Sequence, residues 1–117
     1  MALSFSVPGK PVGTNAAYRA GKGRYYLTKD AKAFKERLRA YAVLAKNSSD
    51  WKPSKKPIGV HIVVWNSRHD ADSPVKFCLD ALQGIFFEND RIVESVKAEK
   101  RKDNGEPRVD FRVFVIE

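Results

Sequence analysis

The chain predicts an α+β fold: one small domain in which two main helices pack on a mixed β-sheet. Two observations carry this. Apolar periodicity alternates between 2.0 and 3.6 along the chain in the order strand, helix, strand, helix, strand, strand. And 117 residues with 43% hydrophobic content are enough for one disulfide-free core and too apolar for a disordered chain. A single domain over 1–117 is the simplest division.

The elements follow in order. Leu3, Phe5 and Val7 alternate with polar residues and can line one face of a strand over 3–7. Pro8, Gly9, Pro11 and Gly13 then interrupt regular structure. Residues 13–26, GTNAAYRAGKGRYY, read as a basic, aromatic loop able to wrap phosphates and stack bases, or as a surface loop anchored by its tyrosines. Thr28 is placed to cap a helix over 29–46, with Phe34, Leu38, Tyr41, Ala42 and Ala45 toward the core. Lys32, Lys35, Arg39 and Lys46 fall on its other faces, for DNA or for solvent.

After a connecting loop at 47–57, IGVHIVVW (58–65) is β-branched and apolar, as expected of an interior strand covered on both faces. His61 within it reads as a packed, hydrogen-bonded residue. Ser73 and Pro74 suit the start of a helix over 74–83 that stops at Gly84, with Val75, Cys78, Leu79 and Leu82 inward. Cys78 then reads as a core thiol. A short apolar run, IFF (85–87), leads to a polar turn, ENDR (88–91). Residues 92–100 and 108–116 read as a hairpin joined at DNGEP (103–107).

Charge is unevenly spread. Residues 1–56 carry 13 basic and 3 acidic side chains, and residues 57–117 carry 9 and 11, for a total of +8. A basic half attracts polyanions, nucleic acid above all. The sequence has no long apolar run for a membrane span, no signal-like start, and a single cysteine, which fits a reduced intracellular setting.

The chemistry gathers at HDADSPVK (69–76). Asp70 and Asp72 point the same way in extended chain, and like charges so placed invite a hard divalent cation with oxygen ligands. An EF-hand does not fit, since Ala81 stands where its final Glu belongs. A helix folding back on its strand would return Asp90 toward the strand's end, so that three carboxylates converge. Such a site, with Lys76 one turn into the helix, suits phosphodiester hydrolysis. The bland alternative is a polar capping loop, with Lys76 and Asp80 paired at i, i+4. His69 reads as a surface histidine.

The spacing of these residues resembles the RusA family of Holliday junction resolvases over nearly the whole chain. The family pattern is D-x-D-N-L-x-K, a helix with D-A-L, a glycine, apolar residues and a D-D-x-Q-[VI] turn. Here Asp70-Ala-Asp72-Ser-Pro-Val-Lys76, Asp80-Ala-Leu, Gly84 and Glu88-Asn89-Asp90-Arg-Ile-Val correspond. Asn15, Tyr18-Arg19 and Lys100 agree as well. The departures are Ser73-Pro74 for Asn-Leu, Asn89 for the first Asp, and Ile92 for Gln.

The resemblance implies a homodimeric endonuclease that nicks four-way DNA junctions symmetrically in recombination and repair. Mg²⁺ is its implied cofactor, with Mn²⁺ able to substitute, and no organic cofactor or membrane partner is expected. Asp70, Asp72 and Asp90 become the metal ligands and catalytic carboxylates, and Lys76 the catalytic lysine. Asn15, Tyr18, Arg19, Lys22, Arg24, Arg68 and Lys100 become DNA contacts. The expected setting is the cytoplasm of a bacterial or phage-infected cell, with a prophage a common source. The rival expectations are a non-catalytic DNA-binding module, a flap, fork or RNA nuclease, and a structural dimer with an incidental basic face.

Overall fold

The computed structural model describes residues 1–12, 18–21, 24–53, 55–68 and 74–117, of which 18–21 and 24–26 are described by their backbone. Its strands are β1 (Ala2–Pro8), β2 (Tyr18–Gly21), β3 (Arg24–Leu27), β4 (Ile58–Trp65), β5 (Val93–Arg101) and β6 (Arg108–Val115). Its helices are α1 (Lys29–Asn47) and α2 (Val75–Leu82), with a 3₁₀ turn at Asp90–Ile92. The main sheet has the order β1-β6-β4-β5. β4 and β5 are parallel, while β6 runs antiparallel to both β1 and β4. This is the α+β domain with a mixed sheet and two helices that the alternating periods predict.

Local chemistry starts each helix. Thr28 Oγ1 accepts the Ala31 N–H at 3.3 Å, the expected cap of α1. The buried stripe of α1 is Ala31, Phe34, Leu38 and Ala42. Tyr41, expected inside, is 39% exposed: it sits at the margin of a stripe that those four residues already fill. Pro74 immediately precedes α2, and its carbonyl accepts the first helical N–H, from Cys78, at 2.9 Å. Ser73 lies outside the described residues. Gly84 ends this segment with φ +89°, a left-handed conformation that favours glycine.

Three expectations change. Residues 92–100 and 108–116 do not form a hairpin, because β4 lies between β5 and β6 and pairs with both. Alternating residues and a turn sequence look the same whether two strands touch or flank a third. The connection from β5 to β6 therefore crosses the end of β4. Asn66 holds it there, donating from Nδ2 to Asp103 Oδ1 at 2.8 Å and to the Gly105 carbonyl at 3.0 Å. Its Oδ1 accepts the Asp103 N–H at 2.9 Å.

Second, residues 13–26 are more than a loop. Tyr18–Gly21 and Arg24–Leu27 pair as a two-stranded antiparallel ladder, Tyr18 opposite Leu27 and Gly21 opposite Arg24. The Gly-Lys-Gly at 21–23, flanked by aromatic residues, is a hairpin signal.

Third, β4 is covered on both faces as expected, but not equally, with Gly59 and Val63 buried on the second face. Val60, Ile62 and Val64 are buried in the core with Val109, Phe111 and Val113, whereas His61 and Trp65 are only half-buried. The second face is covered by side chains from neighbouring strands. The Phe114 ring lies where a Cβ on Gly59 would be, and the Arg108 guanidinium stacks 4.4 Å from the Trp65 ring. A cavity of about 400 Å³ opens there beside Ser6, His61, Asp110 and Arg112. His61 is packed, as expected. Among the described residues its Nε2 has no hydrogen-bond partner, and Glu99 Oε1 is 3.7 Å away.

The core reaches the turn after α2. Ile85, Phe86 and Phe87 are all buried. The Phe5 ring stacks on Phe86 at 5.6 Å, Trp51 meets Phe86 edge-on at 5.7 Å, and Trp51 Nε1 donates to the Phe86 carbonyl at 3.1 Å. The run that looked like a short connection thus anchors the segment carrying Asp90.

Candidate active site

α2 carries Lys76 in its first turn, and the 3₁₀ turn begins at Asp90. Between them the chain makes a tight reversal. The Gly84 N–H donates to the Phe87 carbonyl at 2.7 Å, and the N–H groups of Ile85 and Phe86 both donate to Leu82. Asn89 caps the 3₁₀ turn, its Oδ1 accepting the Arg91 N–H at 2.9 Å. The family-typical Asp at this position could cap in the same way, so the departure to Asn89 keeps the turn.

The result is a contact between two distant parts of the motif. Lys76 Nζ lies 2.6 Å from Asp90 Oδ2 and 3.0 Å from Asp80 Oδ1. The Asp90 hydrogen bond, followed by that to Asp80, raises the Lys76 pKa above its ordinary value, so the side chain stays an ammonium at neutral pH. The i, i+4 pair with Asp80 is present, but it is the longer of the two contacts. Lys76 remains largely exposed and accessible to a ligand from solvent.

Asp70, Asp72, Asn15 and Lys22 lie outside the described residues. Tyr18, Arg19 and Arg24 have described backbone in β2 and β3. Arg68 is exposed just beyond β4, and Lys100 is exposed on β5 opposite Val64. Val93 pairs with Ile58, so the turn with Asp90 returns to the start of β4, not to its end as expected. Parallel pairing requires this, because β5 must begin beside the beginning of β4. Lys100 then lies about 23 Å along β5 from Val93, away from the turn with Asp90. Asp72 is only four residues ahead of Lys76, within about 14 Å of it even in fully extended chain.

Hard carboxylate oxygens suit a divalent cation. Among the described residues, no three of His, Cys, Asp and Glu come together to hold a metal. The described part of the expected ligand set is Asp90, with Asp80 across Lys76 from it. The one cysteine takes no part: burial pushes the Cys78 thiol up to about 12. Sequence reasoning missed Gln83, whose Oε1 accepts the Asp90 N–H at 3.4 Å, and the anchoring role of the IFF run. The 3.6-residue pattern ends before either, so no periodic signal marks them.

A basic chain whose mixed sheet and helix bring a lysine against carboxylates fits the class of hydrolases that act on nucleic acid. The family is shown directly: residues 8–114 match the family model for Endodeoxyribonuclease RusA, and the chain belongs to that family. It is an endodeoxyribonuclease, a hydrolase acting on DNA. The family resolves Holliday junctions in recombination, acts on branched DNA, and generally depends on a divalent metal. No relative matches among the curated proteins.

Proposed function

We propose that the protein is a Mg²⁺-dependent Holliday junction resolvase that acts as a homodimer and makes paired, symmetric nicks. It works on recombination and repair intermediates in the cytoplasm of a bacterial or phage-infected cell. The observation that carries this reading is the 2.6 Å contact between Lys76 and Asp90. It joins the end of the HDADSPVK segment to a turn fourteen residues on, as a site assembled from both requires.

In this reading Asp70, Asp72 and Asp90 hold the metal. A bound divalent cation supplies an activated water and offsets charge growing on the phosphate. Lys76, kept protonated by its carboxylate neighbours, donates hydrogen bonds to the phosphate oxygens as they gain charge. Asp90 and Asp80 orient the ammonium before DNA arrives. Asn15, Tyr18, Arg19, Lys22 and Arg24 grip DNA from the basic half, and Arg68 and Lys100 extend the contact beyond the catalytic end. A two-fold dimer matches the two symmetry-related strands that must be cut.

The test is a synthetic immobile four-way junction incubated with and without Mg²⁺. Paired nicks should appear only with the metal. Asp70→Asn, Asp72→Asn and Asp90→Asn should each abolish nicking and leave junction binding within about threefold of the parent. Faster cutting of flaps, forks or RNA would replace the junction specificity. Undiminished nicking by Asp90→Asn would remove the site.

A further inference from the structure

We infer that Arg39 is a positioning residue for catalysis rather than a DNA contact, acting through the turn that presents Asp90. This rests on the proposal that Asp90 and Lys76 work at the scissile phosphate. Arg39 belongs to the basic helix α1, where such a side chain reads as a phosphate ligand or a solvated charge. It is half-buried, and its Nη1 donates to the carbonyl of Ala81 at 2.7 Å and to that of Gln83 at 3.1 Å.

These are carbonyls at the C-terminal end of α2, which lack helical N–H partners and carry the negative end of the helix dipole. A guanidinium there satisfies both from one fixed, planar group. The same residue, Gln83, then turns its own side chain to Asp90, with Oε1 accepting the Asp90 N–H at 3.4 Å. A path of polar contacts therefore runs from α1 through the end of α2 to the backbone of Asp90, the residue whose side chain holds Lys76. Trp51 grips the same turn at Phe86, so Arg39 governs its polar side while the aromatic core governs the other.

A displacement of the order of 1 Å at a reacting group can cost about a hundredfold in rate. A phosphate ligand behaves otherwise: its loss weakens binding and reduces the salt dependence of log K by about 0.9. The experiment measures kcat for nicking and Mg²⁺-free junction affinity, across a salt series, for Arg39→Gln, Arg39→Lys and Gln83→Ala.

We expect kcat to fall about tenfold or more for Arg39→Gln. Arg39→Lys should recover part of it, and Gln83→Ala should lose about threefold. Junction Kd and salt slope should stay at parental values. Gln83→Ala leaves the Arg39 bonds intact, since these go to main-chain oxygens, so it reports on the path even if Arg39→Gln fails to fold. Parental kcat in both Arg39→Lys and Gln83→Ala, or a weakened Kd with a shallower salt slope, overturns the inference. Asp90→Asn in parallel separates the two levels. If it nicks normally, the active-site reading fails. If it is inactive while the Arg39 and Gln83 variants keep parental kcat, only the positioning role fails.

Discussion

Asn66 is tightly constrained away from the site. Its φ of +61° is one that L-residues other than Asn, Asp and Gly seldom adopt, and its side chain bonds both sides of the β5–β6 connection. Asp103, its partner, is held well below the usual carboxylate range. The Arg108 guanidinium, 2.6 Å away, contributes most, followed by Asn66 and the Gly105 N–H. The depressed value means that ionised Asp103 supports the fold fully above its unfolded pKa near 4, and that this support fades as pH falls toward the folded value. Asp103→Asn should therefore shrink the loss of Tm between about pH 4 and pH 2 relative to the parent, measured by circular dichroism. Asn66→Ala should cost about 1 kcal/mol at neutral pH in urea unfolding. Neither role shows in the sequence, where DNGEP reads only as a turn: Arg108 stands just past it with no signal that it pairs with Asp103, and Asn66 comes from 37 residues away.

At the scale of elements, what the sequence shows depends on whether a signal is local. The α1 cap, the β4 run and the stop at Gly84 rest on residues next to one another, and all three are found. The β5–β6 pairing failed because strand partners are chosen by long-range contacts. The candidate site divides the same way. The DADSPVK spacing marked Lys76, and the ENDR turn marked Asp90. Their direct contact, and the Arg39–Gln83 path behind it, needed the fold. α2 also makes a prediction through Cys78, whose thiol is fully buried and pushed up to about 12. Native protein should react with a thiol-disulfide reagent only at the rate at which it unfolds, and Cys78→Ala should nick junctions at close to the parental rate. Rapid labelling would mean that α2 opens independently.

Across the whole molecule, charge is the dominant pattern. The first 56 residues hold 13 of the 22 basic side chains, and much of that charge lies on α1 and the β2–β3 ladder. Arg39 and Arg37 are tied to backbone carbonyls instead, Arg37 through Pro8 at 3.2 Å. Binding should thus depend on the remaining cations of this half. With six or more phosphates neutralised, junction affinity should fall by about a thousandfold or more between 50 and 200 mM salt. Fluorescence anisotropy in Mg²⁺-free buffer would show it, and a flat response would move the DNA surface elsewhere.

The sheet order β1-β6-β4-β5 also constrains how a nascent chain can mature. β1 emerges from the ribosome early, yet its partner in the main sheet is β6, made long afterwards. Until β6 is released and slides between β1 and β4, the first strand has no ladder to join, and the apolar side of β4 lacks one neighbour. Assembly of this sheet therefore waits for β6, and a chain that has not yet made β6 leaves β1 and one edge of β4 without a ladder partner.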